Sequence, residues 1–316
     1  MNVIPINMLG LGIALIAGCT AAPSNSSNAQ EQAAPPSTNA AAIAAPEAVA
    51  DAITPEIEAE EIRSEFWLAA DPVQGGVMLV RAPSGVTSVS FNGAALPVAS
   101  DGFFLIGFNR DAASSAALAA TLEDGRSIRK TLSVTPGDWI ISHVNARRTG
   151  GAATSAEYKR RRVPELARIN AARREHHDSI GWRQDFIWPV KGRISGLFGS
   201  QRIYRGTPGG YHSGMDIARP TGTIYVAPAD GVVILAANDA FTLEGKLLMI
   251  DHGMGLNSAF LHSSELLVKK GDIVRQGQAI GKIGSTGRAT GAHLHWGMKW
   301  NKARVDPKLL VPAIKN

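Results

Sequence analysis

Between Gly75 and Val134 no apolar run is longer than a strand, and a turn signal interrupts the series again and again. The runs are GGVMLVRAP, TSVSFNG, FFLIGFN, AALAATLEDG and SIRKTLSV; the turns are Pro83-Ser84-Gly85, Asn92-Gly93, Asp101-Gly102 and Asp124-Gly125. Runs this short leave no room for a long helix and predict antiparallel strands. We expect a small β-sandwich over residues 63–135. It holds no histidine and no polar cluster with catalytic spacing, so positioning, recognition and plain spacing all remain open for it. The same punctuation returns after Trp188, in GTIYVAPADGVVILAAND, KLLMIDHGMG, LNSAFLHSS and DIVRQGQAIGKIGSTG. The fold class is therefore mainly β. One segment differs. Residues 136–182 contain EYKRRRVPELARINAARREHH, where Val163, Leu166 and Ile169 recur at helical spacing and Pro164 suits a first turn. This predicts a basic helical connector. Lys159–Arg162 reads as a solvated face, and the adjacent His176 and His177 as surface residues.

The first 62 residues have another composition. The apolar run Met8–Ala17 is too short to span a bilayer and fits a secretory signal over residues 1–18. Ile16-Ala17-Gly18-Cys19 resembles a bacterial lipobox, which implies lipidation of Cys19, the single cysteine. No Lys or Arg precedes the run, although such signals usually carry one. Thr20 stands where Asp would often retain a lipoprotein at the inner membrane, so a periplasm-facing outer-membrane anchor is expected. Residues 19–62 are rich in Ala, Pro and Glu and read as a disordered tether. They hold seven acids and no base. The rest carries all 32 Lys and Arg against 20 of the 27 Asp and Glu, a net charge of +12. A basic body favours anionic partners such as wall polymer or lipid surface. Nucleic acid is excluded by the export signal and the lack of any matching motif.

Five of the eight histidines lie after Trp188: His212, His252, His262, His293 and His295. In GAHLHWGM, His293 and His295 are two apart, so on a strand they share a face while Leu294 points into the core. Two imidazoles side by side need a reason. Upstream, YHSGMD sets His212 four residues before Asp216. His212, Asp216 and one histidine of the pair supply the nitrogen and oxygen ligands zinc accepts, with a fourth position open for water. The other histidine of the pair and His262 are then available for proton transfer. His252, in DHGMG, reads as a structural residue of a hairpin turn. Gly214, Gly287 and Gly291 are expected to permit backbone turns near the metal. For Arg202, contact with an anionic substrate group and a loop salt bridge stand equal.

HxxxD, a strand-borne histidine and HxH, in that order, are far more specific together than apart. Residues 186–310, within a domain expected over 183–316, resemble the lysostaphin/LytM-like zinc metallopeptidases, through GRISGLFGSQR, HSGMDIARPTGTIYVAPADGVV, MIDHGMGLNSAFLHSS, VKKGDIVRQGQAIGKIGSTGRATGAHLHWGM and Asp306-Pro307. The resemblance implies an antiparallel β-sheet peptidase domain with its site in a groove. It implies one Zn2+ held by His212, Asp216 and His295, with His262 and His293 as the catalytic pair. It also implies peptidoglycan stem peptides as substrate, with the D-Ala–diaminopimelate cross-link as the bond. Ser213 departs from the family pattern, where an aromatic is common. Two other readings compete: a non-catalytic regulator of another wall hydrolase, which would have lost ligands, and a carrier domain, either biotinyl or lipoyl, for which no modifiable lysine hairpin is apparent, or a phosphocarrier, whose cytoplasmic setting the export signal contradicts.

Overall fold

The computed structural model describes residues 63–147 and 155–313. The signal, Cys19 and the tether lie outside them. The described part is mainly antiparallel β, with one α-helix. The sandwich consists of a three-stranded sheet that includes Val77–Arg81 and Phe103–Gly107, and a four-stranded sheet built on Val86–Phe91, Ser115–Leu122 and Ser127–Ser133. Alternation decides its faces: along Ser115–Leu122 every second residue is buried. Asn92-Gly93 turns the hairpin after Val86–Phe91 with φ of 49° and 80°, the left-handed pair that a two-residue hairpin needs. Two short strands escaped the sequence reading, Trp67–Leu68 and Ala94–Leu96. They are too short to show a period.

The second region is built on an eight-stranded sheet. Its central members run Gly231–Phe241, Gly245–Asp251, Leu256–Ser263, His293–Trp300 and Met215–Ala218, each antiparallel to the next. His293–Trp300 divides its free edge between two partners. Its first half pairs with Met215–Ala218, its second half with Ala303–Val305. Leu294, Trp296, Met298 and Trp300 form one face and are buried in the main core. His293, His295, Gly297 and Lys299 form the other, which lines a groove.

Both regions belong to one compact unit and share that core. Phe91 of the sandwich meets Trp300 edge-on with ring centroids 5.9 Å apart. A Cβ at Gly107 would stand 2.9 Å from the Trp300 ring, so glycine there permits the contact. Part of the connector also joins the fold: Ile141–Val144 pairs in parallel with Gln201–Tyr204.

The helix differs from its expectation. It spans Ala156–Ala172 (α1), capped by Ser155, whose Oγ accepts from Tyr158 N at 3.1 Å. Pro164 therefore sits inside it rather than in its first turn. Both Pro164 and Arg160, whose carbonyl loses its donor, are exposed, so water can satisfy the break. Nor do the three apolar residues form one buried stripe. A spacing of three turns about 300°, so Val163, Leu166 and Ile169 fan round the helix by roughly 60° at each step. Only Ile169 is buried; Val163 is 67% exposed. Ion pairs do much of the docking. Arg162 donates to both oxygens of Glu244, at 2.6 and 2.7 Å, and Glu165 accepts from Thr242 N and Oγ1. Arg162 is thus no solvated residue, unlike Lys159–Arg161, which are exposed.

Candidate functional site

Strand pairing does most of the assembly. Asp216 lies directly opposite His295, and Ala218 opposite His293. Asp216 faces the groove because Met215 and Ile217 on either side are buried. His212 enters from the preceding loop, with its N donating to Ser200 O and its O accepting from Gly199 N. The sandwich steadies this loop. Buried Arg110 donates to Gly199 O at 2.9 Å and to Gln201 Oε1 at 3.2 Å, and its guanidinium lies over the Tyr211 ring.

Three ligand atoms converge. His212 Nε2 is 3.1 Å from Asp216 Oδ1 and 3.1 Å from His295 Nδ1, and the last two are 2.8 Å apart. His212 Nδ1–H donates to Leu197 O at 3.0 Å, which leaves the Nε2 of the neutral ring as a lone pair. His212 Nε2, His295 Nδ1 and Asp216 Oδ1 thus point at one position, and with each imidazole nitrogen unprotonated all three would offer lone pairs to a cation. A divalent ion preferring mixed nitrogen and oxygen ligands fits that set, and the carbonyl on His212 Nδ1 is the usual outer support of a metal-bound imidazole. Electrostatics agree. Burial disfavours a charged His212, but Asp216 beside it prevails and raises its pKa. Burial acts against the Asp216 carboxylate, yet His212 and His295 hold it well below the usual range. Burial lowers His295, opposed in part by Asp216.

His262 and His293 complete the cluster, their ring centroids 4.9 Å apart. His293 Nε2 is 3.7 Å from Asp216 Oδ1, and His293 Nδ1 is held by Gly291 O at 2.8 Å. His262 should point away from the groove, because its neighbour Leu261 is the residue opposite His295. A φ of +65° breaks the alternation and brings the ring back. A non-glycine residue held in this region is strained, as functional positions often are. His262 N donates to Glu244 O, and its Nδ1 is 2.8 Å from Thr286 O. Burial first, then His293 and His295, lower its pKa, so the ring is neutral near pH 7.

Two glycines make room. A Cβ at Gly196 would lie 2.6 Å from Asp216 Oδ2, and one at Gly214 2.6 Å from His295 Nε2. Gly214 was anticipated. Gly196 was missed, as were the carbonyls of Leu197 and Thr286, since backbone groups leave no mark in residue identity. Gly287 has φ +73° and packs on the Gly245 backbone. Gly291 has no positive φ and open space around it, so its carbonyl to His293, and no need for glycine, is what counts. His252 stays outside the site: fully buried, its Nδ1 lies 2.8 Å from Asp230 O and its Nε2 2.8 Å from Ser258 Oγ. Arg202 is exposed and has no side-chain partner among the described residues. His176 is exposed, whereas His177 binds Asp251 through both its N and its ring.

The chain is similar to several known proteins. Residues 210–307 match Peptidase family M23. A solved structure of an M23 peptidase from Pseudomonas aeruginosa superposes with a TM-score of 0.60 at 30% identity, covering 77% of this chain and 96% of that one. Peptidoglycan DD-endopeptidase ShyA of Vibrio cholerae is 42% identical over 34% of this chain and 26% of its own length. Murein hydrolase activator NlpD of Escherichia coli is 33% identical over 42% of this chain and 31% of its own. The chain thus spans about a quarter to a third of the length of these curated relatives.

Proposed function

The chain belongs to peptidase family M23, whose members are zinc metallopeptidases, and from that premise we propose that it is an endopeptidase cutting the peptide cross-links of bacterial peptidoglycan. The bond is the D-Ala–diaminopimelate amide. The observation that carries the reading is the convergence of His212, Asp216 and His295 within 4.8 Å, with His262 and His293 beside them. An activator of the NlpD kind would not need all five side chains.

His212, Asp216 and His295 would hold the zinc. When bound, the ion supplies a Lewis acid for the carbonyl and makes water a nucleophile near neutral pH. The remaining steps rest on protein groups. His262 and His293 each commit Nδ1–H to a backbone carbonyl, which fixes the tautomer and leaves Nε2 free to accept a proton. One accepts the proton of the attacking water at Nε2 and then passes that same proton to the leaving amine, while the other ring beside it orients the water. Lipidation of Cys19 would anchor the enzyme at the outer membrane facing the periplasm, with the tether spanning to the wall.

The test is digestion of cross-linked sacculi by the full chain, with and without zinc, beside His295→Ala, read by mass spectrometry of released muropeptides. Loss of cross-linked dimers that requires both zinc and His295 is expected. Zinc bound at full stoichiometry with no cleavage would sink the enzyme and favour the activator.

A further inference from the structure

The groove does not end at His295. It runs on beneath α1 as a cavity of about 290 Å³ that includes Ser213, Gly297, Lys299 and Arg304 on the sheet side and Asn170 and Arg173 on the helix side. Lys299 shares the face of His293–Trp300 with His295. Arg304 is directly opposite Lys299 on the neighbouring strand. Like charges directly opposite in a sheet repel, so this pairing is not there for stability. Arg173 comes from the last turn of the connector, at the end of α1. Its Nε is buried with no hydrogen-bond partner. One acid lines the cavity, Glu244, and Arg162 already occupies both its oxygens. Among the described residues no carboxylate pairs with Arg173, Lys299 or Arg304. Burial and mutual repulsion agree: burial, then Arg173 and Arg304, lower Lys299 to about 8, and burial, then Arg304, lower Arg173 to about 10.

We propose that Arg173, Lys299 and Arg304 form a subsite for a free carboxylate of the peptide whose amide is cut at His295. The inference rests on the endopeptidase reading for the identity of that peptide. Geometry favours a carboxylate on the substrate over a loose ion. The cations begin where the metal ligands end, in one continuous groove. Lys299 lies four positions beyond His295 on extended strand, roughly 13 Å away. Gly297 between them adds no side chain to block the path. An extended peptide can place an amide at one end and a carboxylate at the other. Arg173 and Arg304 present planar forks that suit carboxylate oxygens. The subsite would select substrates that carry a free carboxylate some residues beyond the scissile bond, and discriminate against amidated ones.

The probes are the cross-linked muropeptide dimer and the same dimer with its carboxylates capped as methylamides. Binding to the zinc-free full chain is measured by isothermal titration calorimetry, so that hydrolysis plays no part. The uncapped dimer is expected to bind about tenfold more tightly or better. Lys299→Gln with Arg304→Gln should abolish that preference while leaving affinity for the capped dimer unchanged. Equal binding of both dimers by the unsubstituted protein, or a preference that survives in the double variant, overturns the proposal. So does inorganic phosphate binding as tightly as the dimer, which would mark a general anion site. A preference that holds while the zinc-loaded protein cuts neither dimer removes the endopeptidase reading and leaves the subsite standing.

Discussion

The two halves of one strand make opposite demands. At its start, His295 lies opposite Asp216 and His293 comes within 3.7 Å of it, so imidazole nitrogens gather round a carboxylate. At its end, Lys299 faces Arg304 under Arg173, and three positive charges gather where the one nearby acid, Glu244, is already held by Arg162. A protein optimised only for stability would have crossed these, setting an acid beside the lysine. The donor set of the first half suits a cation and that of the second an anion, in keeping with a metal ion and a carboxylate-bearing peptide. Edge pairing makes this possible, because the strand changes partner halfway along.

The largest expected effect separates the halves. Asp216→Asn keeps the shape of the side chain and removes the charge that opposes two imidazoles. Even outer-sphere partners of metal ligands change affinity by about 10–100-fold. With Asp216 as the proposed ligand, its replacement should therefore cost at least about 100-fold in zinc affinity, read by competition with a chelator. Carboxylate preference in the zinc-free protein should be untouched. If the substitution also erased that preference, the two halves would be one site and the comparison would fail.

His252 offers a second contrast, with the site histidines. Both its nitrogens are satisfied by the protein, and full burial lowers it to about 4. Its folded pKa lies below the unfolded value near 6.5, so the unfolded chain binds more protons between those limits. Stability from this ring is complete above pH 6.5 and is lost as pH falls towards 4. About 3 kcal/mol should disappear between pH 7 and pH 4. Urea unfolding across that range would measure it, and His252→Gln should flatten the dependence. An unchanged slope in that variant would move the acid sensitivity to other groups, Asp216 among them, whose carboxyl is held below its usual range.

Much of this was legible in residues alone. Asn92-Gly93 fixed a hairpin, and the HxH spacing put two histidines on one face with Leu294 in the core, because a period of two survives translation into structure directly. The helix was legible as a helix but not in its docking. Val163, Leu166 and Ile169 recur at helical spacing, but the docking is made by Arg162 and Glu165 through ion pairs and hydrogen bonds and by buried Ile169 and Ala172. The inward turn of His262 was invisible, since it depends on one backbone angle within a strand. So was the meeting of Arg173, Lys299 and Arg304. They come from three elements, and only register and the lie of α1 bring them together.

The smallest effect concerns the basic half alone. Lys299→Gln removes a charge that repels both Arg304 and Arg173. Relief of one like-charge cross-strand pair amounts to roughly 0.5 kcal/mol, so the variant should be slightly more stable in low salt. Screening should shrink the gain, and at about 1 M salt, where the Debye length is near 3 Å, it should vanish. Raising the pH is an equivalent perturbation. Lys299 has a folded pKa of about 8, below its ordinary 10.5. The unfolded chain binds more protons in that window, so stability of the unsubstituted protein should rise as pH climbs from 8 to 10.5. Lys299→Gln should lose that rise. Thermal melts at two salt concentrations and across this pH range would measure all of it. A variant that melts lower in every condition would mean that Lys299 is held by a partner, and the basic half of the strand would need no anion from outside.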